Sequence, residues 1–295
     1  MTEQALRAPT RLTGIRARPA AGLVHLLRQG CLYAVLVASA LTMIVPFLWM
    51  LSTSLKADQY VLATPPQFFP RPLTLASYVR LAELFPIERM FANSLLVATL
   101  TTGGQLLTCS MAAYAFARMN FRGRNALFLI YLATLMIPFQ VTITPLFILM
   151  RYLGWINTYQ GLILPGVFSA FGTFLLRQFF LTIPREFEEA AYMDGASRWT
   201  VYWRIILPES KAALATLGVF SFMGSWNAFL WPLFVVRDET LMTLPVGLAT
   251  LHGRWLTQWN LVMAGTVITV LPMLVVYLLA QQYFVKGVAL SGLKG

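Results

Sequence analysis

The chain has 295 residues, of which 58% are hydrophobic and only 11% are charged. A soluble domain carries roughly 25% charged residues, so the polar side chains here are too few to cover a globular surface in water. The net charge of +11 does not indicate nucleic-acid binding, because the basic residues lie between hydrophobic runs instead of along one polar face. The composition therefore predicts an integral membrane protein.

Six segments reach the length of about 20 mostly apolar residues that a helix needs to cross a bilayer. Each run is continuous and does not alternate, so we expect six transmembrane helices and an all-α fold. No Asp, Glu or Lys lies within the segments, and Arg177, near the end of the fourth, is their only Arg. The predicted spans are residues 31–53, 91–115, 126–149, 159–181, 212–236 and 259–281.

The distribution of basic residues predicts the orientation of these spans. About two thirds of the Lys and Arg residues lie in the loops and tails on the side that holds both termini, and loops of that kind stay in the cytoplasm. We therefore expect both termini to be cytoplasmic. The predicted organisation is a basic tail at 1–30, a six-span domain at 31–283 and a cytoplasmic tail at 284–295.

A hydrophilic island, residues 182–211, separates the fourth and fifth spans on the predicted cytoplasmic side. Its first part predicts a short helix, because Glu186, Glu188 and Glu189 lie in a first turn where the helix dipole favours carboxylates. Gly195 follows at a position suited to a turn with positive φ. The island therefore starts as one helix that ends in a tight turn.

A second short helix is predicted from Ser197, a favourable N-cap residue, to Pro208, which ends it before the fifth span. An apolar stripe runs along it at the spacing i, i+3, i+4, i+7, formed by Trp199, Tyr202, Trp203 and Ile206. Two interpretations remain open on this pattern alone. The helix pair is either a solvated loop on the membrane face, or a docking surface whose stripe is anchored in the bundle and whose carboxylates face a partner.

The order of residues in the island favours docking. Glu189-Ala190-Ala191 is followed after three residues by Gly195, then after nine residues by Ile205, and then by Leu207-Pro208. This pattern resembles the EAA loop of ABC importer permeases. The segments PFLWMLSTSLK, SWNAFLWPL and QQYFVKGVALSGLKG resemble the carbohydrate, maltose-type permeases, in particular their six-span subunit with a short C-terminal tail.

The resemblance covers the chain from about Leu32 to Gly295 and implies the type I ABC importer permease fold. It implies a permease subunit of an ATP-driven, binding-protein-dependent importer, most simply for a sugar or oligosaccharide, which forms half of the translocation pathway. The implied partners are a second permease subunit, an ABC ATPase dimer, an extracytoplasmic solute-binding protein and membrane lipid, without nucleic acid. The implied location is the inner membrane of a prokaryotic cell, as a multi-pass protein.

The same resemblance implies roles for individual residues. Contact with the ATPase subunit is assigned to the island positions of the EAA pattern: Glu189, Ala190, Ala191, Gly195, Ile205, Leu207 and Pro208. Contact with the ATPase interface is assigned to the tail residues Ser291, Gly292, Leu293, Lys294 and Gly295. The outer loop around Thr243 to Gly253 is the one expected to probe the binding protein.

Polar residues at membrane depth are candidates for the substrate pathway, and Gln140 and Asn227 are selected beside Gln105. Packing between helices is the favoured explanation for Asn227, and a place in the pathway is the alternative. Tryptophans near the span ends are expected to be interfacial anchors rather than sugar platforms. No catalytic or metal-binding residue is predicted, because the two histidines stand alone and no paired carboxylate or cysteine lies nearby.

Two alternatives to a sugar importer remain. The first is an ABC permease for a glycerol-phosphate-type solute, since those permeases look alike. The second is a secondary transporter driven by an ion gradient, which would be expected to carry ionisable coupling groups inside its spans. The chain has no G-x-x-x-x-G-K-[ST] loop, so we do not expect it to hydrolyse ATP by itself. The resemblance implies that ATP and Mg are bound by the partner ATPase, and we expect this chain not to be an enzyme and to hold no cofactor.

Overall fold

The computed structural model describes residues 19–250 and 258–292, and the side chains of 25–250 and 258–281. The chain divides into two compact units, residues 1–49 and 50–295. Within the described residues every regular element is helical, which confirms the predicted all-α fold.

The helices are, in chain order, α1 (Pro19–Ser54), α2 (Asp58–Val61), α3 (Ala76–Leu84), α4 (Ile87–Arg118), α5 (Arg124–Ala133), α6 (Phe139–Tyr152), α7 (Tyr159–Ile163), α8 (Ala170–Phe180), α9 (Glu186–Met193), α10 (Arg198–Val201), α11 (Leu207–Glu209), α12 (Lys211–Trp226), α13 (Leu230–Val235), α14 (Leu244–Ala249) and α15 (Trp259–Gly292). Single turns of 3₁₀ geometry occur at Thr134–Met136, Leu164–Gly166 and Glu239–Leu241. A turn of π geometry lies at Tyr202–Ile206.

Three of the described helices are long and apolar enough to cross a membrane by themselves, and they contain the predicted first, second and sixth spans. Their qualifying segments are His25–Ser54, Ile87–Arg118 and Trp259–Gln281. Three further helix pairs would bring the number of spans to six if each pair formed one bent span: Arg124–Met136 with Phe139–Tyr152, Tyr159–Gly166 with Ala170–Phe180, and Arg198–Glu209 with Lys211–Trp226.

The third, fourth and fifth predicted spans are not continuous helices, and proline accounts for the breaks in the third and the fifth. The chain bends by 100° between α5 and α6 at Ile137–Pro138, because proline disfavours helical backbone in the residue before it. Accordingly, Ile137 is extended, with φ −87° and ψ 112°. In the fifth span, α12 ends at Trp226, and Pro232 in α13 has no N–H for the carbonyl of Ala228. The fourth span bends by only 41°, between the turn at Leu164–Gly166 and α8.

Helix α4 lies at the centre of the second unit, where it packs against α8 and α12, while α12 also packs against α15. Gly172 of α8 allows the close approach of these helices. A Cβ atom at Gly172 would lie 2.9 Å from Leu217 Cδ1 and 3.0 Å from Cys109 Sγ. The buried core of this crossing continues to the island through Tyr202 and Ile206, so the island is packed onto the bundle.

Candidate functional site

The first half of the island forms the helix and turn that its sequence predicts. Helix α9 begins at Glu186, and its first turn holds the three glutamates. Gly195 has a φ of +77°, a conformation that residues with a Cβ atom rarely adopt. The turn is closed by two backbone hydrogen bonds, from Gly195 N–H to the Tyr192 carbonyl at 3.0 Å and from Ala196 N–H to the Ala191 carbonyl at 2.9 Å.

The EAA positions divide into an outward set and an inward set. Glu189, Ala190, Gly195 and Pro208 are exposed. Ala191, Ile205 and Leu207 are half-buried and pack against the core that α4, α8 and α12 share with the island. The inward residues thus fix the island to the bundle, and the outward ones leave a carboxylate beside a small side chain on the surface.

The second half of the island has an N-cap as predicted, but its helix changes geometry before the proline. The Ser197 hydroxyl accepts the N–H of Thr200 at 3.1 Å. A π turn follows, in which Leu207 N–H bonds to the carbonyl of Tyr202. The chain then bends by 78° into α12, and Ser210 at the bend donates its hydroxyl to the Ile206 carbonyl at 2.6 Å.

The predicted apolar stripe is wrong for its two tryptophans. Tyr202 and Ile206 are buried at 1% and 0% exposure, whereas Trp199 and Trp203 are 57% and 45% exposed. The helix turns Val201 toward the bundle instead, where its smaller side chain fits. The two indoles flank this face and contact the Tyr202 ring, with centroids 5.4 and 5.2 Å away.

The expectation that the carboxylates of the island face a partner is also wrong for Glu188. Its Oε1 lies 3.0 Å from Arg118 Nε, and only 9% and 3% of the two side chains are exposed. The contact is an ion pair without a hydrogen bond along it. Arg118 also donates from Nη2 to the carbonyls of Phe180 and Ile183, the latter at 2.6 Å. Burial raises the pKa of the Glu188 carboxyl, and the nearby guanidinium of Arg118 opposes that rise.

Two further contacts join the island to the same face of α4. Ser110 and Tyr202 form a hydroxyl–hydroxyl bond of 2.7 Å. The Tyr114 hydroxyl donates to the Arg198 carbonyl at 3.3 Å. Ser110, Tyr114 and Arg118 are spaced by four residues, so they share one face of the helix. Sequence reasoning missed this row, because nothing in α4 alone indicates what packs against it.

The N-terminal end of α4 holds the segment that precedes the predicted binding-protein loop. Asn93 Nδ2 donates to the carbonyls of Thr240 and Met242 at 2.9 and 3.0 Å. Its Oδ1 accepts the hydroxyl of Tyr159 at 2.7 Å. Hydrogen bonds from Thr240, first from its backbone N–H, lower the pKa of Asp238 in this segment. Residues 251–253 of the predicted loop lie outside the described residues.

A cavity of about 630 Å³ lies between α4, α6, the turn at Leu164–Gly166, α12 and α13, and Asn227 is among its lining residues. The Asn227 amide donates to the Met223 carbonyl of its own helix at 2.9 Å. Gln105 also lines the cavity, and it donates to the Gly166 carbonyl at 2.6 Å. Gln140 is exposed and does not line this cavity, so its pathway role stays a prediction.

The described residues that line the cavity are apolar, hydroxylic or amidic, and none of them is charged. Five aromatic side chains contribute to the lining: Phe139, Phe171, Phe220, Phe229 and Trp231.

The predicted contact of the tail residues 291–295 with the ATPase stays a prediction, because the side chains of these residues lie outside the described part of the chain.

Comparisons with known proteins identify the family of the chain. The family model for the binding-protein-dependent transport system inner membrane component matches residues 105–289. The arabinooligosaccharides transport system permease protein AraQ of Halalkalibacterium halodurans is 37% identical over 229 residues, which are 77% of this chain and 82% of that protein. The sn-glycerol-3-phosphate transport system permease protein UgpE of Pectobacterium atrosepticum is 42% identical over 204 residues, which are 68% of this chain and 73% of that protein.

A solved structure is also similar over almost its whole length. It is a chain of a bacterial ABC transporter involved in the import of the acidic polysaccharide alginate, with a TM-score of 0.74 and 26% sequence identity. The match covers 91% of this chain and 98% of that one. The chain therefore belongs to the family of binding-protein-dependent transport system inner membrane components, the permeases of ABC importers.

Proposed function

We propose that this chain is one of two permease subunits of an ABC importer in a prokaryotic inner membrane. Its six spans form half of the translocation pathway, and both termini are cytoplasmic. The three long apolar helices and the bent pairs over residues 124–152 and 159–180 support five of these spans. The remaining span is α12 with α13, because residues 198–209, the first half of the third bent pair, belong to the island. ATP and Mg bind to a separate ATPase dimer, and a solute-binding protein delivers the solute from outside.

The island is the coupling element of this importer. The observation that carries the proposal is the exposed Glu189–Ala190 surface on a helix whose buried residue, Glu188, pairs with Arg118 of α4. An exposed carboxylate beside an alanine offers a charged contact that a partner cleft can approach closely. Gly195 turns the chain so that the second helix returns to the bundle, and Leu207 and Pro208 lead into α12.

The solute that best suits this chain's share of the pathway is an uncharged oligosaccharide. Aromatic rings offer apolar faces to the C–H faces of a sugar, and the hydroxyl and amide groups beside them offer hydrogen bonds to its hydroxyls. A phosphate or carboxylate would call for Arg or Lys in the lining, and the described lining residues include neither. The chain is 42% identical to the sn-glycerol-3-phosphate permease UgpE, so glycerol 3-phosphate is the second candidate solute.

Reconstitution tests both parts of this proposal. The tagged chain is first purified from its native membranes in mild detergent, and we expect the second permease, the ATPase and the binding protein to accompany it. The complex is then placed in liposomes, and uptake of a labelled arabinooligosaccharide and of glycerol 3-phosphate is measured with and without ATP inside. Uptake of the sugar that needs both ATP and the binding protein supports the proposal. Uptake driven by an ion gradient without ATP would refute it.

A further inference from the structure

We propose that the buried ion pair between Arg118 and Glu188 is the joint that transfers the movement of α9 to α4. This inference rests on the proposed function, in which the ATPase docks on α9. Arg118 and Glu188 are then positioning residues for coupling, distinct from the surface that touches the ATPase.

Helix α9 has little apolar surface with which to hold the bundle. It has eight residues, and Glu188 is the only one of them that is buried. A helix of this length is not stable by itself in water, so its position depends on the contacts it makes. The contact of its buried residue, Glu188, is with Arg118.

Arg118 connects three elements at one point. It is the last residue of α4, it donates to the carbonyls of Phe180 and Ile183 at the end of α8, and it pairs with Glu188 of α9. The planar guanidinium is held by its hydrogen bonds to the two carbonyls, and its charge keeps the Glu188 carboxylate 3.0 Å from Nε. A displacement of Glu188 therefore has to move Arg118 or break the pair.

The energetics of the pair favour a positioning role over a stabilising one. Removing two charges from water carries a desolvation cost that can exceed their attraction, so apolar side chains of similar volume would hold the helix as well. What a buried pair adds is direction. Two other links from α4, Ser110 to Tyr202 and Tyr114 to the Arg198 carbonyl, go to the second island helix. The Tyr114 hydroxyl also lies 3.5 Å from the Tyr192 hydroxyl of α9, so the Arg118 pair is the charged link between α4 and α9.

Helix α4 can carry the displacement to the opposite side of the membrane. It has 32 residues, and at 1.5 Å per residue it is about 48 Å long. Near its other end, Asn93 holds the carbonyls of Thr240 and Met242. One continuous helix thus joins the docking helix to the segment before the outer loop.

The test compares Glu188→Gln with Glu186→Gln in the reconstituted complex. Both variants remove one negative charge from the first turn of α9, but Glu186 is exposed and Glu188 is buried. The readouts are the yield of assembled complex, the rate of ATP hydrolysis and the arabinooligosaccharide imported per ATP hydrolysed. For Glu188→Gln we expect normal assembly and hydrolysis, and a fall in solute per ATP of about tenfold, which corresponds to a coupling energy typical of residues in direct contact. Glu186→Gln should keep the wild-type ratio.

If the Glu188→Gln complex assembles and imports as much solute per ATP hydrolysed as the wild type, the proposed role of the ion pair is refuted. If Glu188→Gln does not assemble, Arg118→Lys decides, since it keeps the positive charge and loses the fork. A wild-type ratio in that variant overturns the joint as well, and a reduced ratio supports it. A wild-type complex without binding-protein-dependent uptake would refute the proposed function itself, whereas an unchanged ratio in working variants refutes only the joint.

Discussion

Charge reversal at Glu189 provides the sharpest test of the docking surface. Glu189 is exposed and forms no ion pair among the described residues. Replacing it with Lys costs the folded chain only its favourable place near the N-terminus of α9, about 0.3–1 kcal/mol. Loss of one partner of a desolvated charge pair at an interface costs about 2–5 kcal/mol. We therefore expect Glu189→Lys to fold and insert normally but to lose ATPase binding by a factor of about 30 to 5,000.

The assay is a pull-down of the ATPase with the tagged variant, followed by ATP-dependent uptake in liposomes. Glu186→Lys is the matched control, because Glu186 is exposed in the same first turn and carries the same dipole cost. The control should bind the ATPase and import solute like the wild type. Normal binding and uptake by Glu189→Lys would refute the docking assignment. Equal defects in both variants would show that ATPase binding depends on the total charge of α9 rather than on a contact at Glu189.

Substitutions at three further positions test how the site is held in place. Gly195→Val puts a β-branched residue at a φ of +77°, so it should destabilise the island by about 1–2 kcal/mol. Gly195→Asn should lose less, and equal thermal midpoints for the two variants would contradict the backbone argument. Gly161→Ala places a Cβ atom 2.1 Å from the Trp155 carbonyl oxygen and should lower stability by about 1–3 kcal/mol; an unchanged midpoint would argue against that packing. Asn93→Leu removes the side-chain donor of the Met242 carbonyl, while Arg89 Nε still bonds to the Thr240 carbonyl; hydrogen exchange should therefore rise around Met242, and unchanged exchange there would rule out the anchoring role.

Local features of the molecule were predictable from the sequence. The cap at Ser197 and the positive φ at Gly195 depend on a few neighbouring residues, and both occur as expected. The long apolar helices also follow directly from composition, because an uninterrupted apolar run has few other ways to satisfy its backbone in a membrane. The spacing from Glu189 to Pro208 was sufficient to indicate the family.

Tertiary structure decided which faces of those helices are used. The tryptophans of the island point away from the bundle because the helix rotates to place Val201 against α4 and α8, and no periodicity within the helix specifies that rotation. Arg118 and Glu188 are 70 residues apart in the sequence, and neither segment indicates the other. Such pairs depend on how helices cross, which is set by the packing of side chains from several segments at once. The sequence by itself therefore determined the three long apolar helices and the family, whereas the buried ion pair and the uncharged cavity emerged only when the helices were packed together.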